Sequence, residues 1–300
     1  AIYEKQLGPD HVDVAESLGN LAELAYSMDQ YTYALSLGQR SLAIWEKNLG
    51  PEHTTVGASL KDLAATYRVL GKVDQALQLY QRSLAILERQ PGTAQVELAA
   101  SLNGLASLQH TLGQYAEALP LYQRSLAILE KRLGPQHVDV ALSAKNLAGT
   151  YRMLGKYDQA LPLYQRSLAI LDVRPVAYPI ELSKSLNGLA AIFVDSGKYA
   201  EALPLYRRSL AIGEEHLGPD HLNLAQTLSN IAQLYVTMGE YSQALPLYER
   251  SLTIRENRLG PEHVDVAASL DGLAVLYAKM GQHSQALSFY KRGLAIQENR

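Results

Sequence analysis

The feature that constrains this chain most is a strict internal period of 42 residues. RSLAI occurs at 40–44, 82–86, 124–128, 166–170 and 208–212, with RSLTI at 250–254 and RGLAI at 292–296. Its serine falls at Ser41, Ser83, Ser125, Ser167, Ser209 and Ser251, and Gly293 holds the seventh place, without one insertion or deletion. Seven units (7–48, 49–90, 91–132, 133–174, 175–216, 217–258 and 259–300) cover all but residues 1–6. Those six, AIYEKQ, match AIWEKN at 43–48 and read as the tail of a preceding unit. A chain of 300 residues would otherwise suggest two domains. A period of this length instead means stacked units, each contacting mainly its neighbours, in a single solenoid domain over 7–300. Beginning inside a helix and stopping at the equivalent AIQENR, the sequence reads as a segment of a longer array.

One unit, 133–174, shows what is repeated. Gly134 and Pro135 stop the preceding helix; His137 and Asp139 suit the open N-terminus of the next. Val140, Ala144, Leu147, Ala148 and Tyr151 then recur at helical spacing. Gly155 breaks that helix, and a second runs from Tyr157 to about Leu171. Nothing alternates with the period of a strand. The expectation is all-α: antiparallel helix pairs with turns near Gly71, Gly113, Gly155, Gly197, Gly239 and Gly281. Pro120, Pro162, Pro204 and Pro246 sit about one turn into second helices, where an interior proline costs about 3 kcal/mol, so an outward-facing kink is expected there. LGPxH opens units at 7, 49, 133, 217 and 259, whereas PGTAQ and PVAYP open those at 91 and 175. The latter two share SLNGLA, which superimposes an 84-residue alternation.

Composition narrows the chemistry. With 27 Lys plus Arg against 30 Asp plus Glu, the chain lacks the basic excess of a nucleic-acid binder. No apolar run approaches the roughly 18 residues of a membrane span, so neither nucleic acid nor membrane is an expected partner. Cys is absent, which excludes disulfides, thiolate metal sites and cysteine nucleophiles, and suits a reducing compartment; cytoplasmic location is the expectation. The histidines of LGPxH lie one unit apart and cannot converge on one ion, so helix capping is their reading. Glu214, Glu215, His216 and His221 read as a solvated turn. No phosphate-loop, dinucleotide, zincin or nucleophile-elbow motif occurs. Neither an enzyme nor a cofactor is expected.

Leu-Ala, then Tyr, then Gly-x-Tyr-x-x-Ala, then Tyr three residues after Leu, resembles the tetratricopeptide repeat in the longer-helix form of kinesin light chains. The resemblance implies an α-solenoid, a right-handed superhelix whose first helices line a concave groove. It also implies a protein-interaction scaffold that binds a partner peptide, the sensor arm of a larger multidomain protein. Family members use an Asn before the Leu-Ala pair to bond a peptide backbone; Asn20, Asn146 and Asn230 match it, with Asp62 in the second unit. Units 3, 5 and 7 carry Gly104, Gly188 and Gly272 instead, preceded by Asn103, Asn187 and Asp271, so the ladder is broken on alternate units. Local capping is the competing reading of these Asn residues.

Lys61 and Arg68 share a helix face, as do Lys145 and Arg152; Asn103 and His110 lie between them in unit 3. The resemblance places them in the groove, as a basic strip selecting an acidic or C-terminal carboxylate segment; two solvated faces are the plainer alternative. Gly38 stands where the other units have Tyr80, Tyr122, Tyr164, Tyr206, Tyr248 and Tyr290, and predicts a hole. The alternative function is a structural array that associates end to end, with no peptide ligand.

Overall fold

The computed structural model describes residues 2–90, 92 and 94–298. Pro91 and Thr93 of the PGTAQ opening, together with Ala1, Asn299 and Arg300 at the ends of the expected units, lie outside the described residues. Among the described residues there are fifteen helices and no strand. The chain divides into two compact units, Ala1–Lys156 and Tyr157–Arg300, so the division falls between the two helices of the fourth repeat, inside the expected single array.

In the first unit, α1 (Ile2–Leu7) precedes the pairs α2 (Val12–Ser27) with α3 (Tyr31–Leu49), α4 (Thr54–Val69) with α5 (Val73–Glu88), and α6 (Gln95–Thr111) with α7 (Tyr115–Leu133); α8 (Val138–Met153) completes it. The second unit begins with α9 (Tyr157–Leu171). It continues with the pairs α10 (Pro179–Asp195) and α11 (Tyr199–Leu217), α12 (Leu222–Met238) and α13 (Tyr241–Leu259), and α14 (Val264–Lys279) and α15 (His283–Glu298). Within each unit, every second helix also packs on the first helix of the next pair. First helices of successive pairs pack with their backbones close together, as α2 with α4 or α10 with α12, whereas among the described residues successive second helices stand farther apart and meet through long side chains. First helices are therefore the inner layer of each unit and second helices its outer one.

Small residues set the spacing. Ala64, Ala106, Ala190, Ala232 and Ala274 on first helices, and Ala76, Ala118, Ala202 and Ala244 on second helices, are fully buried. His11, His53, His137, His221 and His263 each accept a hydrogen bond from the backbone N–H two residues on, at 3.2 Å through Nδ1, which is the capping geometry expected of them. All six expected turn glycines have positive φ, and Asp29, at φ 61°, takes that conformation in the first repeat. The four prolines lie inside continuous α7, α9, α11 and α13, on exposed faces.

Two ladders recur with the period. Buried Ser41, Ser83, Ser125 and Ser251 donate to the carbonyl 26 residues earlier, on the first helix of their own pair. Exposed arginines bind the acid 36 residues earlier, on the preceding second helix. These are Arg40–Glu4, Arg82–Glu46 and Arg124–Glu88 in the first unit, then Arg208–Asp172, Arg250–Glu214 and Arg292–Glu256 in the second. Each exposed rung is worth about 0–1 kcal/mol. The ladder aligns neighbouring hairpins more than it stabilises them.

Candidate functional site

Between the pairs, Tyr80, Tyr122, Tyr164, Tyr206 and Tyr248 plug the space, each 5% exposed or less. Three of them lie over glycine: a Cβ added at Gly104, Gly188 or Gly272 would come within 2.4, 2.3 or 2.6 Å of a ring atom of Tyr80, Tyr164 or Tyr248. The 84-residue alternation is thus a fit between plug and seat. In the first repeat the plug is missing, and the hole expected at Gly38 is a cavity of about 420 Å³. Trp45 lies along its wall without closing it. Its lining includes Glu16, Asn20, Glu23 and Tyr26 from α2, Gly38, Ser41 and Trp45 from α3, and Asp62 and Thr66 from α4.

Asp62 occupies the seat facing Gly38. Its carboxyl group opens onto the cavity yet is crowded by protein. This crowding raises its pKa above the ordinary carboxylate range, helped by Glu97 and Glu23 and opposed by Lys61. Lys61 bonds Glu97 at 2.9 Å and Asp62 at 3.0 Å. Burial alone would lower the lysine, but these two carboxylates outweigh it and hold it above its usual value. The Lys61 charge is therefore matched twice, by partners the sequence reading did not connect to it.

Further along the inner layer the balance changes. Arg68 lies against the hydroxyl of Tyr80, whose pKa is raised by burial and partly restored by the guanidinium. The Nε of Arg68 is buried without a hydrogen-bond partner. His110 stacks edge-on against Tyr115, with ring centres 4.9 Å apart. Burial first, and the charge of Arg152 second, lower its pKa. The structure thus brings Arg152 and His110 together, and sets Lys61 apart with acids. Lys145 and Arg152 both have polar partners of their own.

The asparagines divide into two groups. Asn103 accepts from Ser143 Oγ at 3.3 Å, and Asn187 donates to Thr227 Oγ1 at 2.8 Å, each bridging to the next first helix. These two tie the inner layer together. Asn230 accepts from Gln226 at 2.9 Å, Asn20 lines the cavity, and Asn146 is half-buried on α8. A further polar group went unread in the sequence. Arg255, on α13, stands where the first four repeats have Trp45, Leu87, Leu129 and Leu171, and its buried guanidinium is bonded to Ser229, Ser269 and Gln226.

Comparison with known proteins agrees with this geometry. The family model for the tetratricopeptide repeat matches residues 1–47, 14–89, 97–172, 181–257 and 238–299. The chain belongs to the tetratricopeptide repeat family. No curated protein sequence matches it. Among solved structures, BtubC (BKLC) from P. vanneervenii is similar at 22% identity and a TM-score of 0.62, covering 76% of this chain and 91% of that one. A putative kinesin light chain of Podosopora anserina, with nearly identical repeats, shares 27% identity over 69% of this chain and 98% of its own, with a TM-score of 0.56. The Rap conjugation gene regulator of the plasmid pLS20, solved in complex with the Phr peptide, has a TM-score of 0.65 at 14% identity, covering 93% and 72% of the two chains. Tetratricopeptide repeats generally serve as protein-interaction scaffolds. Among the described residues no helix is long and apolar enough to cross a membrane.

Proposed function

We propose that this tetratricopeptide array holds an extended segment of a partner protein along its inner layer, as the interaction arm of a larger assembly. One observation carries the reading. Within the first unit, two buried side-chain polar atoms lack a hydrogen bond among the described residues, Arg68 Nε and Gln109 Oε1, and both lie on first helices. Leaving such a group unpaired costs about 1–3 kcal/mol, which a bound peptide's backbone or carboxylate would recover. Arg68, with His110 and Arg152, favours an acidic or C-terminal carboxylate at that part of the face, and half-buried Asn146, on the same helix as Arg152, is the candidate for the peptide backbone. Lys61 contributes little, since Asp62 and Glu97 already balance it.

The test is selection from a displayed peptide library on the immobilised protein, followed by calorimetry at two ionic strengths. Selected peptides should lose about 1.5–3 kcal/mol against Arg68→Ala and bind less tightly as salt rises. Equal binding by parent and variant would move the ligand elsewhere. A second reading, end-to-end association, draws on the exposed apolar face of Leu287, Tyr290 and Leu294 on α15. A molar mass that stays monomeric across a hundredfold concentration range would remove it.

A further inference from the structure

Two departures from the repeat meet at one place. Gly38 is the one plug position among seven that is not Tyr, and Asp62 is the one seat that is acidic, the others being Asn20, Gly104, Asn146, Gly188, Asn230 and Gly272. They face one another across the same cavity. If Gly38 were only a lost ring, the hole would be apolar with a neutral floor. Instead Asp62 brings a carboxylate to the lining, and Glu16 and Glu23 add two more acids. Tyr26 and Trp45 supply the aromatic part of the lining. At 420 Å³ the space lies within the roughly 300–1,000 Å³ of small-ligand pockets and well above the ~150 Å³ that accepts benzene. Lys61 is paired with Asp62 at 3.0 Å but is shared with Glu97, so this one cation answers two carboxylates and leaves the acids of the lining in excess.

We infer that this cavity is a socket for a cationic side chain of the partner segment, an arginine, entering where the other repeats insert their own tyrosine. The planar guanidinium suits both features: it forks onto carboxylates and stacks on aromatic faces. Lysine fits the charge, but its ammonium is a point charge that neither forks onto carboxylates nor lies flat on a ring. The inference rests on the proposed inner-layer binding and deepens it. The inner layer of the first unit becomes polarised, acidic around Glu16, Glu23 and Asp62 and basic from Arg68 at the end of α4 to Arg152, so a bound segment places its arginine in the socket and its carboxylate farther on. That polarity fixes the direction in which the segment lies.

The chain has a single tryptophan, and it lines the socket, so the Trp45 indole reports occupancy directly. The probe is an acetylated, amidated Gly-Ser-Arg-Ser-Gly peptide, titrated while the Trp45 indole N–H resonance and fluorescence are followed. Its citrulline isostere, which keeps the shape and removes the charge, is the control. The arginine peptide should shift Trp45 saturably. Asp62→Asn should weaken it at least tenfold, and Gly38→Tyr, which refills the slot, should abolish it. An ideal Cβ at position 38 meets only Leu63 Cδ1, at 3.3 Å, so that variant is expected to fold; Asp62→Asn decides the matter if it does not. Equal shifts by the citrulline peptide, no Trp45 response to arginine, or unchanged binding by Asp62→Asn would each overturn the socket. A library-selected segment that binds parent and Gly38→Tyr equally would overturn the socket while leaving inner-layer binding intact. Failure of every segment to bind would overturn both.

Discussion

The plug-and-seat fit makes a prediction whose sign depends on its partner. Gly188 is helical, and alanine in a helix interior is favoured over glycine by about 0.8–1.0 kcal/mol. By propensity alone, Gly188→Ala should stabilise α10. The structure says otherwise: the new Cβ would lie 2.3 Å from Cε1 and Cζ of Tyr164 and 2.5 Å from its hydroxyl oxygen. Neither ring nor backbone can yield by an ångström in a close-packed interface without cost, and overpacking of this kind costs about 1–3 kcal/mol. The net effect expected is destabilisation of up to about 2 kcal/mol. Tyr164→Ala removes the obstacle, at its own cost of about 3–5 kcal/mol. In that background Gly188→Ala should stabilise by about 1 kcal/mol, so the substitution changes sign. The double-mutant cycle should be read by chemical unfolding together with hydrogen exchange of the α10 amides, because repeat arrays can unfold in pieces. If Gly188→Ala stabilises the parent as much as it stabilises Tyr164→Ala, the ring does not occupy the seat and the account of the alternation fails.

Other outcomes follow from the same contacts. Gly38→Tyr alone should gain little, because it sets a ring on the Asp62 carboxyl; adding Asp62→Gly should raise stability by about 1.5–3 kcal/mol, and equal thermal midpoints for the two variants would contradict this. Ser83→Ala breaks the bond to the Gly57 carbonyl and strands Ser101, whose Oγ is 2.8 Å away, for a loss of about 1–3 kcal/mol in denaturant unfolding; an unchanged midpoint would show the ladder to be decorative. His110 has its pKa lowered from 6.5, so the unfolded chain takes up its proton before the folded one does. The stability it preserves is present above pH 6.5 and is lost as pH falls from there through the folded value. His110→Gln should flatten that limb of the stability-versus-pH curve, and an unaltered limb would assign it to other groups.

Much of this architecture was legible because periodicity averages over seven copies. In the fourth repeat the second helix was expected from Tyr157 to about Leu171, and those are its observed bounds. The histidine caps, the turn glycines and the hole at Gly38 were likewise readable, each from one local rule. Pairings between repeats were not. Lys61 meets Glu97 36 residues on, and neither column alone announces the pair: lysine stands in only two of the seven repeats, at Lys61 and Lys145. Gly38 and Asp62 were each conspicuous, but that they face one another follows from how α3 packs on α4. The recurring serines served only as register marks, although burial makes them hydrogen-bonding groups that must be satisfied. Arg255 stood in plain view in a column that is apolar in the first four repeats, on a second helix where no ligand was sought.

The arginine–acid ladder carries a cost of its own regularity. Each rung uses the same two places in the repeat, so a hairpin docking one repeat out of turn meets the same charges, the same serine and the same alanines. Near-identical neighbours invite such misassembly while an array folds. The plug-and-seat alternation supplies what the ladder lacks. A displacement of 42 residues sets a tyrosine shaped for glycine against asparagine, as Tyr80 would meet if Asn146 took the place of Gly104. A displacement of 84 residues restores the match. The alternation therefore works as a parity check: it rejects odd errors of register and passes even ones, and long arrays of this kind should misfold by two repeats more often than by one.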